Sequence, residues 1–409
     1  MTQQVTTLPN GLRVVSRTIP GLETASVGLF AACGSRHEAP ALSGLAHLFE
    51  HMLFKGAGER SARELSEAIE DVGGDLNAAT ERDATSFTAA VLGEHVGLAV
   101  ELLSDMVLRP HFDAADLVRE KDVVLQELAE VEDTPSDLVF DELWLAAFAE
   151  QPIGRSILGD AGSIGRIVTT DLTAWRDQRY RAGQLVLAAA GKVDHDALVD
   201  LAEMRFADLP QGDAADAAGA AVTSGARHIR AKADQAHLTL GFAAPAALAD
   251  DYYPARMFAD IVGGGASSRL FQAVREERGL AYSVGAGLSA YHDCGLLYVH
   301  AATARKDAAA AAALIDDVLE TAARDCTPRE LDRARTQARA GLLMYLETPA
   351  GQAAYLARQL ALHGRLLDPG EVEAQLAAVS LDQVRAAGQA MLAGPCARAS
   401  IGVPALRAA

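Results

Sequence analysis

Apolar and polar residues alternate over Val5–Leu8 and Leu12–Ser16, and again over Thr24–Ala32 after a Pro20-Gly21 turn, which predicts three strands. The period then lengthens to that of a helix over Ser43–Phe54 and Ser61–Val72, the second ending at Gly73-Gly74, where glycine suits a left-handed cap. An alternating hairpin, Asp75–Val91, precedes three helical stretches, Glu94–Val107, Ala114–Asp133 and Ser136–Phe148. A short helix follows Thr170, and then an apolar strand, Gln184–Ala190.

The Ala/Gly/Asp-rich run Gln211–Gly225 reads as a linker, and beyond it the order of elements recurs. A strand at Ala236–Ala243 leads to helices at Pro254–Val262 and Ser268–Arg278. An alternating stretch, Ala281–Ala302, is followed by helices at Ala308–Arg324 and Pro328–Glu347. Asp171-Leu172-Thr173 is echoed by Ser380-Leu381-Asp382, and Phe49 by Phe258, both at an offset of 209 (381 − 172 and 258 − 49). The expected fold is α+β, with two duplicated sandwich-like halves, each an antiparallel-rich sheet packed with helices. The boundaries implied are a domain over 1–210, a linker over 211–228 and a second domain over 229–409.

Composition narrows the function. Half of the 409 residues are apolar and 22% are charged, as in ordinary globular proteins. The net charge of −19 argues against binding nucleic acid or an anionic membrane surface and favours basic partners. No apolar run reaches membrane-spanning length, and the N-terminus alternates like a strand instead of resembling an export signal. The scattered cysteines, Cys33, Cys294, Cys326 and Cys396, form no ligand pair or disulfide framework, so a reducing cytoplasm is the expected location.

The strongest chemical signal is His47-Leu48-Phe49-Glu50-His51. Helical positions four apart lie only ~40° from each other, so both histidines can share a cation, with the Glu50 carboxylate on the same face. With 11 histidines and 55 acids in the chain, an H-x-x-[D/E]-H string is expected by chance roughly 0.04 times. A third ligand is required. Glu120 and Glu127, two turns apart on the helical stretch Ala114–Asp133, both qualify, and spacing does not rank them.

The segments HLFEHMLFKG (His47–Gly56), GGDLNA (Gly73–Ala78) and REKDVVLQE (Arg119–Glu127) together resemble the pitrilysin (insulinase) family of inverted-motif zinc peptidases. The resemblance covers both halves and points to the two-domain, processing-peptidase-like branch. It implies one zinc per chain, held by His47, His51 and Glu127, with Glu50 as general base and Glu120 as a supporting acid. It implies that Asn77 and Ala78 belong to a substrate-holding edge strand, and that Arg275 and Tyr282 help hold substrate. Phe87 stands where many relatives carry tyrosine, and Ala57 where threonine is common.

The second half has lost the metal set. At the 209 offset, Arg256, Ala259 and Asp260 stand opposite His47, Glu50 and His51; at an offset of 214, Ala334 and Gly341 stand opposite Glu120 and Glu127. The implied protein is a metallo-endopeptidase for unfolded peptides or short polypeptides. Its clamshell chamber would be completed by a second copy, so a homodimer is expected. The alternatives are a processing protease for one precursor peptide and a non-catalytic core or assembly subunit.

Overall fold

The computed structural model describes residues 2–231 and 234–403. The first half runs β1 (Thr2–Thr7), β2 (Arg13–Thr18), β3 (Thr24–Ala31), α1 (Leu45–Leu53), the short pair β4 (Gly56–Ala57) and β5 (Arg60–Ser61), α2 (Ala62–Glu70), β6 (Asp75–Thr80), β7 (Thr85–Leu92), α3 (Val96–Leu108), α4 (Ala114–Asp133), α5 (Pro135–Phe148), α6 (Ala161–Arg166), α7 (Thr169–Arg179), β8 (Leu185–Gly191) and α8 (His195–Arg205). The second half runs β9 (Gly225–Ile229), β10 (Gln235–Ala244), α9 (Tyr252–Gly263), β11 (Ala281–Ala290), β12 (Gly295–Ala304), α10 (Ala308–Asp325), α11 (Pro328–Tyr345), α12 (Pro349–His363), α13 (Pro369–Ala378), α14 (Leu381–Ala393) and β13 (Cys396–Ile401).

The chain forms a mixed α/β structure with two helix-packed sheets, as the alternation predicts. One sheet has the order β1-β2-β8-β3-β7-β6 and the other β11-β12-β10-β13-β9. Among the described residues antiparallel pairs dominate, with parallel pairing only at β2/β8 and β13/β9. Ser380 caps α14, whereas its counterpart Asp171 lies at the third position of α7, which starts at Thr169, so the echo marks the first turn of a helix in both halves but not the same position in it. Among the described residues no helix is long and apolar enough to cross a membrane.

Two compact units emerge. Unit 1 gathers Met1–Leu128, Ser156–Ala218 and Leu343–Leu366; unit 2 gathers Ala129–Arg155, Gly219–Leu342 and Leu367–Ala409. Each takes one helix from the far part of the chain. In unit 1, one face of the sheet packs on α1, α3 and α8, while Val15, Val186, Ala188 and Ala190 on the other face meet Ala353, Leu356, Ala357 and Leu360 of α12. Burying a leucine stabilises by about 1.5–3 kcal/mol, so Leu356 and Leu360 make α12 integral to the unit. In unit 2, Leu297 and Val299 face α9, α10 and α14, whereas Leu296, Ala397 and Ala399 face Val139, Leu143 and Trp144 of α5. Period-two alternation along β12 and β13 supplies both faces.

Two local readings change. The expected helix at Ser268–Arg278 contains a π-helical turn over Phe271–Glu277. The last residues of the segment read as linker form β9, paired in parallel with β13 from Ala397↔Gly225 to Ile401↔Ile229.

Candidate metal centre

Helix α1 begins at Gly44, whose φ of +89° suits glycine. The buried carboxylate of Glu38 accepts hydrogen bonds from the backbone N–H of Gly44 (2.9 Å) and of Ala46 (2.7 Å), satisfying donors that a helix start leaves open. Leu45, Ala46, Leu48, Phe49, Met52 and Leu53 are buried. The Phe49 ring packs between Phe112 (centroids 5.6 Å apart) and Tyr180 (4.9 Å), which fixes the rotation of the helix. His47, Glu50 and His51 are left on the less buried side. Their chemistry follows from this rotation.

The two imidazole centroids lie 4.6 Å apart. The Glu127 Oε2 atom from α4 lies 3.8 Å from His47 Nε2 and 3.7 Å from His51 Nε2. Zinc–ligand bonds of about 2.0–2.2 Å in a tetrahedron put ligand atoms roughly 3.3–3.6 Å apart. The His47–His51–Glu127 set, whose candidate ligand atoms all lie within 4.8 Å of one another, therefore fits zinc with a small contraction. Burial and the neighbouring His51 lower the His47 pKa to about 4, so its imidazole is neutral near pH 7 and can offer a lone pair.

Glu120, only 6% exposed, lies behind the cluster. Its Oε2 is 3.2 Å from His51 Nδ1, and its Oε1 is 2.8 Å from the Lys55 ammonium. Such a carboxylate favours the tautomer with its proton on Nδ1 and leaves Nε2 facing Glu127. The structure thus separates two glutamates that spacing could not rank. Lys55 could have been noticed in sequence, since it follows His51 by one helical turn.

Burial pushes the Glu50 carboxyl upward; the Thr80 hydroxyl and His51 pull it back, and Glu127 pushes it up again. Thr80 donates its hydroxyl proton to Glu50 Oε2. Thr80 ends β6, which among the described residues is an edge strand bonded only to β7. Asn77 and Ala78 lie on this strand. The exposed Asn77 turns its side-chain oxygen to the backbone N–H of Ala78 (2.8 Å), and Ala78 is half-buried. Phe87 is fully buried on β7, with its ring centroid 6.3 Å from that of Tyr180, so this position makes a packing contact.

In unit 2, Arg275 lies on the π-helical turn and Tyr282 on β11. The Arg275 guanidinium carbon is 4.6 Å from the Phe271 ring centroid and 5.5 Å from that of Tyr282, which is 74% exposed. Sequence reading found the pair but missed Phe271, which stacks on the arginine through the π-helical turn.

Two family models match the chain: "Insulinase (Peptidase family M16)" over residues 13–161 and "Peptidase M16 inactive domain" over residues 166–338. An uncharacterized zinc protease of Mycobacterium tuberculosis is 37% identical over 394 residues, covering 95% of this chain and 90% of the relative. A similarly named protein of Bacillus subtilis is 32% identical over 379 residues, covering 92% and 93%. Among solved structures, a peptidase M16 inactive domain from Pseudomonas fluorescens superposes with a TM-score of 0.90 at 24% identity, covering 100% of this chain and 99% of that one. A Helicobacter pylori protease gives 0.90 at 19% identity, covering 98% and 99%.

Proposed function

Since the chain belongs to the insulinase family, peptidase family M16, we propose that it is a zinc-dependent metallo-endopeptidase acting on unfolded peptides or short polypeptides. The observation that carries this reading is the convergence of His47, His51 and Glu127 beside the largely buried carboxylate of Glu50. One zinc per chain would be held by these three side chains, with Glu120 fixing the His51 ring. Bound zinc supplies Lewis acidity, which polarises a scissile carbonyl and makes water acidic near neutral pH.

Glu50 accepts a proton from the attacking water and delivers it to the departing amine. The free edge of β6, around Asn77 and Ala78, holds an extended peptide through main-chain hydrogen bonds, with little demand on its sequence. The acidic balance of the chain favours basic peptides. We assign a homodimer in the cytoplasm, in which Arg275 and Tyr282 of one copy hold substrate in a chamber completed by the other. The resemblance of these motifs supports the assignment. Among the described residues no disulfide joins the four cysteines, which suits a reducing compartment.

Hydrolysis of a mixed peptide library tests the reading. Activity is expected to vanish on chelation and return with zinc. Glu50→Gln should still bind one zinc per chain while turnover falls by about 10²–10⁴-fold. Hydrolysis that ignores the chelator, or equal turnover by the variant, would overturn it.

A further inference from the structure

We propose that Thr80 is a positioning residue for the reaction: its hydroxyl holds one carboxylate oxygen of Glu50 so that the other is free to take a proton from water. The inference deepens the proposed function and rests on its reading of Glu50. Thr80 donates to Oε2, and among the described residues no other hydrogen-bond donor reaches Glu50. An otherwise unheld glutamate samples several rotamers, and a general base works only in the one that faces its proton.

The strand places this hydroxyl. Along β6, exposed Asp75, Asn77 and Ala79 alternate with the more buried Leu76, Ala78 and Thr80, so Thr80 shares the inward face. Its register is fixed by pairing with Thr85. The turn beyond it is clamped, since the Ala84 carbonyl accepts from the Glu81 N–H (2.8 Å) and the Glu81 and Arg82 carbonyls accept from the Ser35 and Arg36 N–H (both 3.0 Å). The buried Arg36 guanidinium also pairs with Asp83 at 2.9 Å. Thr80 therefore sits on a braced strand end. The strand proposed to receive the peptide is also the strand that aims the base, which ties substrate registration to proton transfer.

Thr80→Val keeps the shape and removes the donor, while Thr80→Ser keeps the donor. In Thr80→Val, kcat is expected to fall by about 10–100-fold, with KM and zinc affinity unchanged; Thr80→Ser should stay within about threefold of the wild type. Crystal structures of the chelator-treated proteins give a readout independent of activity. Glu50 should keep one rotamer in the wild type and Thr80→Ser and spread over several in Thr80→Val. A wild-type kcat in Thr80→Val, or a fixed Glu50 rotamer there, would overturn the proposal. So would equal losses in both variants accompanied by weaker zinc binding, since that pattern marks a merely structural role. If the wild type cleaves no peptide, the peptidase reading fails, and the Glu50 rotamers still decide whether Thr80 positions this carboxylate.

Discussion

Helices α1 and α4 of unit 1 and helices α9 and α11 of unit 2 occupy corresponding places in the duplicated chain, yet they satisfy their polar groups differently. In unit 1, two imidazoles and a glutamate converge on one point. In unit 2, the matching turn carries Arg256 and Asp260, joined to each other at 3.1 Å. The α11 positions opposite the two glutamates are Ala334 and Gly341. One helix pair gathers groups that could hold a cation, whereas the other carries the cationic side chain of Arg256. In unit 2 the end of α9 also approaches β11 closely, since a Cβ added to Gly263 would come within 2.1 Å of the Ala286 nitrogen. The two halves repeat an order of elements, and a few side chains decide which of them could hold a metal.

The contrast breaks most sharply at the third ligand. Glu127→Gln is expected to weaken zinc binding by at least about 100-fold, as read by competition with a chromophoric chelator. Gly341→Glu should add no second ion, because Arg256 and Asp260 stand where the first half has its two histidines. Two zinc ions in the latter variant would mean that the halves differ less than the side chains imply.

A smaller effect is expected at the ion pair. The Arg256 side chain is nearly half exposed, so removing it as Arg256→Met should cost only about 0.5–1 kcal/mol in urea unfolding. Arg256→Met/Asp260→Leu should recover most of that, since an apolar pair leaves no uncompensated charge. Equal losses in the single and double variants would show that the pair does not replace a metal as the local tie.

Unit 2 can also be tested in acid. Burial pushes the Glu330 carboxyl up, but hydrogen bonds from Arg269 and from the Thr327 backbone and hydroxyl, with the Arg269 charge, bring it down to about 2. Its folded pKa is thus below the unfolded value of about 4.3, so the unfolded chain binds the extra proton. The contribution of Glu330 to stability is complete above pH ~4.3 and is lost as the pH falls toward about 2. Glu330→Gln should flatten the pH dependence of unfolding within that window. An unchanged slope would remove this cluster from the account of unit 2.

The parts legible in sequence were those governed by local spacing. The His47/His51 pairing, the alternation of β6 and the duplicate's lost ligands follow from helix and strand periods. Glu120 and Glu127 share a helix face seven residues apart, so only their positions relative to His51 Nδ1 and the two Nε2 atoms give them separate jobs. The destinations of α5 and α12 were not legible, because an apolar stripe says that a helix is buried without saying against which sheet. β9 was hidden because Gly225–Ile229 carries only a weak strand signal and gains its order from pairing with β13 nearly at the end of the chain.

The origin of α12 has a consequence for synthesis. The Val15, Val186, Ala188 and Ala190 face of the first sheet has no cover until residues 349–363 have left the ribosome. The half that carries His47, His51 and Glu127 is translated early and completed late. A nascent or truncated chain that stops short of this segment carries His47, His51 and Glu127 on a sheet with that apolar face unpacked.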